Sequence, residues 1–385
     1  MTIFTVGEQF EVELGPVAHG GHVVARHEGR VIFVRHGIPG ELVRVEVTGV
    51  AKNFARGDVI EVLVPSEHRV EAPCRFAKEC GGCDFQHISI TEQRNMKKAV
   101  IVEQFARLAK REVDIEVIDL GQHTGWRTRM RYAVDDAGHV GLRGSKSHDV
   151  VRLDKCVIAH ESIQPPRGNF SLTSEIELAV SSEGEVRGYR DGRLDDELSN
   201  GSSAIDEIVH GKRFNINAQG FWQVHSRAAS MFVNTVLEFA QMKPGDHVLD
   251  LYGGAGLFAS FALDEVGAGG RVELVDSTAA SVRDAARNFP ALKAHVGEVL
   301  RVLRSLKRAD VILLDPPRTG AGRPVLEQIA KLKPRRVVYV ACDPASLARD
   351  VATFAELGYE LSEIRAFDAF PMTHHVEQIA AFTLA

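Results

Sequence analysis

Positive charge, cysteine and long apolar runs are all in short supply in this sequence, and each shortage excludes something. No apolar run approaches the roughly 20 residues of a membrane-spanning helix. The opening M-T-I-F-T-V-G-E-Q-F-E-V has no basic stretch ahead of an apolar one. A soluble, cytosolic chain with no membrane partner is expected. Lys and Arg number 46 against 52 Asp and Glu, a formal net charge of -6. That balance weighs against a broadly basic surface, so only local clustering can make a nucleic-acid site. Cysteine occurs five times in 385 residues. With nothing else pointing to an oxidising compartment, disulfide pairing is the weaker reading of those five. What remains, 44% hydrophobic and 25% charged residues, is ordinary globular composition. The length predicts two or three domains.

The five cysteines divide four to one. Cys74, Cys80 and Cys83 stand in P-C-R-F-A-K-E-C-G-G-C-D, a C-x5-C-x2-C run in which Gly81 and Gly82 let the backbone wrap round a centre. Cys156, in L-D-K-C-V-I, is the natural fourth ligand. Four thiolates suit a tetrahedral zinc or an iron-sulfur cluster, and spacing does not separate the two. Cys342 is left over, far from the others.

Three regions follow one another. Residues 1–64 alternate apolar and polar positions in short runs (F-E-V-E-L, H-V-V-A-R, V-I-F-V-R, L-V-R-V-E-V, D-V-I-E-V-L-V) broken by Gly20-Gly21, Pro39-Gly40 and Gly57-Asp58. That pattern predicts a small antiparallel OB-like β-barrel, a fold that often binds oligonucleotides and also serves as a packing module. Residues 65–215 form a small α+β domain carrying the cysteine cluster, with a helical spacing over 91–110 and no firm elements over 171–203. Within it G-W-R-T-R-M-R-Y sets Arg127, Arg129 and Arg131 at alternate positions. A strand would put them on one face, either to grip phosphates or simply to meet solvent. Residues 216–385 alternate strands and helices, the grammar of a Rossmann-like α/β domain. Strands are expected near 247–252, 272–275, 311–314 and 337–340, with a closing antiparallel hairpin over 360–367 and 376–383.

In that last region the first strand ends in D-L-Y-G-G-A-G, and the second ends at Asp276. A glycine turn admits close backbone approach, and an acid one strand-helix unit later can accept ribose hydroxyls. The turn lacks the G-x-G-x-x-G frame of dinucleotide enzymes, which favours S-adenosylmethionine over NAD. The D-P-P-R of Asp315 to Arg318 makes a rigid loop beside the crevice and resembles segments that hold a base in exocyclic-amine methyltransferases. Cys342 ends the next strand, ahead of a helix whose N-terminal dipole favours thiolate. Uracil C5 is a poor nucleophile, and thiolate addition at C6 cures that, provided a base later removes the C5 proton. Glu377, in F-P-M-T-H-H-V-E-Q-I, fits that requirement, with His374 and His375 as competitors.

Taken together these motifs resemble the S-adenosylmethionine-dependent RNA 5-methyluridine methyltransferases, in the subgroup with a TRAM domain and a [4Fe-4S] cluster. The resemblance runs over nearly the whole chain, through A-H-G-G, the cysteine run, G-F-W-Q-V-H, D-L-Y-G-G-A-G, L-D-P-P-R, A-C-D-P-A-S-L-A-R-D and F-P-M-T-H-H-V-E. It implies a class I methyltransferase domain behind a TRAM barrel. It also implies Cys342 as nucleophile and Glu377 as general base. Gln223, Tyr252, Gly254, Asp276 and Asp315 become S-adenosylmethionine contacts, and Cys74, Cys80, Cys83 and Cys156 become [4Fe-4S] ligands. The partner it implies is RNA, with 23S ribosomal RNA ahead of transfer RNA, acted on by a monomer after base flipping. Leu257, Asp276 and Asp343 depart from the residues the family commonly carries (Asn, Glu and Asn). Cytosine C5 methylation, a noncatalytic RNA-binding protein and an iron-sulfur redox protein are the competing readings.

Overall fold

A computed structural model describes residues 4–199 and 201–385; residues 1–3 of the expected barrel and residue 200 lie outside it. The first unit is a coiled five-stranded sheet. Its order is Gln9–Glu13, Leu42–Val50, Phe54–Val64, Arg30–Arg35, Val23–His27. Alternation drives it: Val43, Val45 and Val47 are buried on one face with Ile32, Val34 and Ala55, while the residues between them face outward. Three register shifts along the two longest strands bend the sheet on itself. One pairing differs from the expected antiparallel barrel. Arg30–Arg35 and Phe54–Val64 run parallel, because Leu42–Val50 carries the chain across and back before the last strand enters.

The middle region contains a six-stranded antiparallel sheet whose centre is Glu175–Val180 beside Arg129–Val134. Trp126, Tyr132, Ile158, Ile176 and Leu178 fill the core beneath it. The segment 171–203 thus supplies three strands, Glu175–Val180, Val186–Arg190 and the short Arg193–Leu194, which its Ser, Glu and Gly content hid. The three arginines of the stripe do line one groove. Arg129 and Arg131 are largely neutralised there: Arg129 lies 3.4 Å from Glu207, and Arg131 lies 3.0 Å from Glu177 and 3.4 Å from Glu175.

The C-terminal sheet has eight strands in the order Lys293–Val296, Arg271–Asp276, His247–Leu251, Val311–Leu314, Arg336–Ala341, Glu377–Leu384, Tyr359–Asp368, Val117–Asp119. Glu377–Leu384 alone runs antiparallel to both neighbours. Its central strands are apolar on both faces: Val338 and Val340 pack on one side with Phe232 and Phe258, Val337 and Tyr339 on the other with Leu347 and Phe354. The eighth strand comes from far upstream and pairs parallel to the edge. Helix Ile90–Gln104, capped by Ser89, whose hydroxyl accepts from Glu92 N (3.4 Å), precedes it and contributes Ile101 to the same core. Part of the 65–215 region is therefore built into the last unit, and the expected helix over 91–110 ends in a π-turn at Phe105–Ala109. Among the described residues no helix is long and apolar enough to cross a membrane.

Candidate active site

At the carboxyl edge of the C-terminal sheet, strand His247–Leu251 runs into Tyr252, whose φ of 60° is rare for a residue with a side chain. A Cβ at Gly253 would stand 2.9 Å from the Asp250 carboxylate, so only glycine fits there. Asp250 is fully buried and accepts from Ala259 N (2.9 Å). Burial pushes its carboxyl up to about 8. Asp276 closes the turn from the next strand, accepting from Gly254 N (3.1 Å) and Thr278 N (2.6 Å). Asp315 ends the strand on the other side, where burial pushes it up to about 7. Tyr252, Gly254, Asp276 and Asp315 thus gather at one sheet edge. Gln223 is buried on the connection from the middle sheet to helix Ala228–Ala240, beside Val224, whose carbonyl accepts from Thr128 N (2.8 Å). This donor set fits a nucleoside ligand: a glycine turn for close approach and a carboxylate at the following strand end.

Cys342 follows strand Arg336–Ala341 directly. In the antiparallel ladder Ala341 stands opposite Gln378, so the next step along both strands brings Cys342 to Glu377. Glu377 is buried, and its carboxyl lies well above the usual carboxylate range through burial and then Asp315, opposed by Arg318. Burial also pushes the Cys342 thiol up to about 12, with Glu377 and Asp315 adding and Arg318 opposing. The expectation that the helix dipole favours thiolate is reversed here. Desolvation first, then the neighbouring Glu377, Asp315 and Asp343, raise the thiol, and Arg318 opposes them.

A cavity of about 120 Å³ opens over Cys342 and Arg318. Its walls come from all three regions. His19 and Gly21 reach in from the first sheet, Phe85 and Lys97 from the middle, His374 and His375 from the loop before Glu377. His19 Nε2 lies 2.6 Å from Asp343 Oδ2, and Asp343 Oδ1 caps the following helix by accepting from Ser346 N (2.7 Å). The departure at Asp343 thus has a local partner. Gly21, at φ 79°, packs so tightly on His374 that a Cβ would come within 2.6 Å of it. His375 is pushed down to about 3 by burial, with His374 and Arg318 adding, which makes it a feeble base beside Glu377. Lys97 and Asp368 form a fully buried pair at 2.6 Å under the cavity. Sequence reasoning missed His19, Asp84, Lys97 and Arg318 as site residues. Arg318, His19 and Asp84, the last residue of the cysteine run, lay in motifs that could have flagged them; Lys97 did not.

Cys74, Cys80, Cys83 and Cys156 line one smaller cavity closed by Leu142, Leu153 and Ile158. None of the five cysteines is in a disulfide. Burial pushes Cys80 up to about 11 and Cys83 up to about 12. The expected metal cluster is not formed as a single-ion site: among the described residues no three His, Cys, Asp or Glu side chains are grouped to hold one metal ion.

A mostly parallel sheet with one antiparallel strand, a glycine turn after its central strand and an acid ending the next define a Rossmann-like, S-adenosylmethionine-dependent methyltransferase. Residues 4–60 match the TRAM domain family, and residues 280–382 match the tRNA (uracil-5-)-methyltransferase family. An uncharacterized RNA methyltransferase of Streptomyces coelicolor is 38% identical over 97% of this chain and 93% of its own. One of Corynebacterium efficiens is 39% identical over 98% and 96%. Among solved structures, Pyrococcus abyssi tRNA (uracil-54, C5)-methyltransferase in complex with S-adenosyl-L-homocysteine superimposes with a TM-score of 0.76 at 22% identity. The match covers 97% of this chain and all of that one. The chain belongs to the RNA (uracil-5-)-methyltransferase family.

Proposed function

We propose that this enzyme methylates C5 of a uridine in structured RNA through a covalent bond between Cys342 and C6 of the ring. The observation that carries this is the ladder position of Cys342 beside Glu377, with Asp315 and Arg318 at the same sheet edge. When bound, S-adenosylmethionine supplies an electrophilic methyl, and Gln223, Tyr252, Gly254, Asp276 and Asp315 would hold it. The Cys342 thiolate adds to C6, moving the C5=C6 electrons to the O4 side and making C5 nucleophilic. After C5 is methylated, Glu377 in its ionised form takes the C5 proton, the double bond reforms and the thiolate leaves. Arg318, over the cavity beside both groups, is the cation that opposes their raised proton affinities.

A pH profile follows. A thiol pushed up to about 12 is protonated at neutral pH, and its thiolate fraction grows about tenfold per pH unit below that value. We expect kcat/KM for RNA to climb with a slope near one between about pH 7 and pH 9. A flat profile over that range contradicts thiol ionisation before attack.

Four thiols around one cavity suit a group larger than one ion, and a [4Fe-4S] cluster is our reading of that site, held by Cys74, Cys80, Cys83 and Cys156. No step above passes through it. Protein purified without oxygen should carry iron and sulfide and absorb in the visible; a colourless, fully active, zinc-loaded protein refutes iron.

For the RNA, ribosomal RNA is the first reading, from the three-part build. Transfer RNA is the second, favoured by a specific observation: the archaeal enzyme whose name specifies tRNA superimposes along its whole length, so that build also serves a tRNA. Mapping 5-methyluridine in both RNA classes from cells with and without the gene separates them. Loss in transfer RNA alone overturns the ribosomal reading.

A further inference from the structure

The residues between Asp368 and Glu377 lie off the sheet ladder, yet they set where the last strand begins. Their own hydrogen bonds make a turn: Thr373 N and its hydroxyl both donate to Phe370 O (3.2 and 2.9 Å). Lys97 Nζ donates to Phe370 O (3.0 Å) and Arg318 reaches His375 (3.4 Å); the bonds to Met372 and His374 come from the stretch that follows the third cysteine and the helix after it. Asp84 N and Phe85 N both donate to Met372 O at 3.0 Å. Asp84 Oδ2 stands 2.6 Å from His374 Nδ1 and accepts from His374 N at 3.3 Å. The fully buried Gln93 amide donates to Phe85 O (3.0 Å) and Ile88 O (2.9 Å), and its oxygen accepts from Met372 N (2.8 Å).

Met372 carries a second sign of imposed geometry. Its φ is 69°, a conformation that residues with side chains keep only when their surroundings impose it. Its side chain is buried in the middle core with Cys156, against which Cys83 also packs. The loop before the candidate base is therefore anchored in the core that holds the cysteines.

We infer that the end of the cysteine loop and the helix after it form the positioning element for Glu377, with Asp84 as the outer clip and Gln93, in the first turn of helix Ile90–Gln104, as the inner clamp. Through Met372 and His374 it fixes the start of the last strand, and with it the carboxyl that faces Cys342. The inference rests on Glu377 being the base. Asp84 itself touches no reacting atom. Its loss lets Glu377 shift, so C5 proton removal slows while thiolate addition and methylation proceed. The C6–S bond then persists in a methylated adduct.

The test uses the full chain, a radiolabelled methyl donor and RNA from cells lacking the gene. It compares the wild type with Asp84→Ala, Asp84→Asn, His374→Gln and Glu377→Gln. For Asp84→Ala we expect kcat to fall by about 10- to 100-fold, as for a reacting group displaced by up to an ångström, with KM for S-adenosylmethionine within about twofold. Labelled protein-RNA adduct should accumulate on denaturing gels, below the level in Glu377→Gln. Asp84→Asn, which still accepts from His374, should recover most of the turnover. If Asp84→Ala does not fold, His374→Gln weakens the same clip from the other side, removing the imidazole contact while the backbone bond stays, and should show the same adduct at a lower level. The inference is overturned if Glu377→Gln traps adduct but the clip variants turn over normally, or lose activity without adduct. If Glu377→Gln traps none, Glu377 is not the base and the inference falls with it.

Discussion

Replacing Cys342 with alanine should abolish methyl transfer, by about 10⁴-fold or more, the scale on which enzymes with covalent intermediates lose activity without their nucleophile. The thiol is half-buried beside Glu377, and its removal leaves the strand, the Asp343 cap and the Tyr252 turn as they are. Folding should therefore change by no more than about 1 kcal/mol, since the sulfur is one atom at the edge of an open cavity. Binding of S-adenosylhomocysteine, followed by calorimetry, should match the wild type within error. Turnover in the variant would remove the covalent route. Loss of cofactor binding as well would mean that Cys342 supports the crevice and is not a nucleophile alone.

Glu377→Gln should separate the two halves of the reaction. The amide keeps the packing but cannot take the C5 proton, so turnover falls by about 10²- to 10⁴-fold, the usual contribution of a positioned base. Methylated RNA should remain bonded to the protein through denaturation. The same change has a stability consequence of opposite sign. Glu377 has a folded-state carboxyl raised by burial, so the native protein holds its proton at pH values where the unfolded chain has released it. Between the unfolded and folded pKa the native state binds more protons, and stability falls as pH rises through that window. Glutamine has no such penalty, so the variant should melt at a higher temperature than the wild type at pH 8 and draw level with it at low pH. Free RNA in the first assay, or an unchanged melting point at pH 8, counts against a buried base at this position.

Much of this was legible in the sequence because alternation and strand-end chemistry are local. The five strands of the first sheet follow the apolar-polar runs from F-E-V-E-L to D-V-I-E-V-L-V. Cys342 and Asp315 were marked by their motifs. What stayed hidden depends on contacts distant in sequence. Nothing in V-I-D announces that 117–119 will pair with the edge at Tyr359–Asp368. The electrostatics of Cys342 were misread because a helix terminus is visible in sequence, whereas two carboxylates folding beside the thiol are not. The arginine stripe was read without Glu175, Glu177 and Glu207, which come from strands elsewhere in the middle region. His19 lies 324 residues from Asp343 and meets it only when the first sheet docks on the active site.

The central claim is that Cys342 makes a 5-methyluridine. Its most direct test maps modified nucleosides in ribosomal and transfer RNA from cells expressing either the wild-type chain or Cys342→Ala as the sole copy. The account predicts that 5-methyluridine disappears from a defined position in the variant and that 5-methylcytidine is unchanged. A variant that retains the methylated uridine, or loses methylcytidine instead, would contradict it.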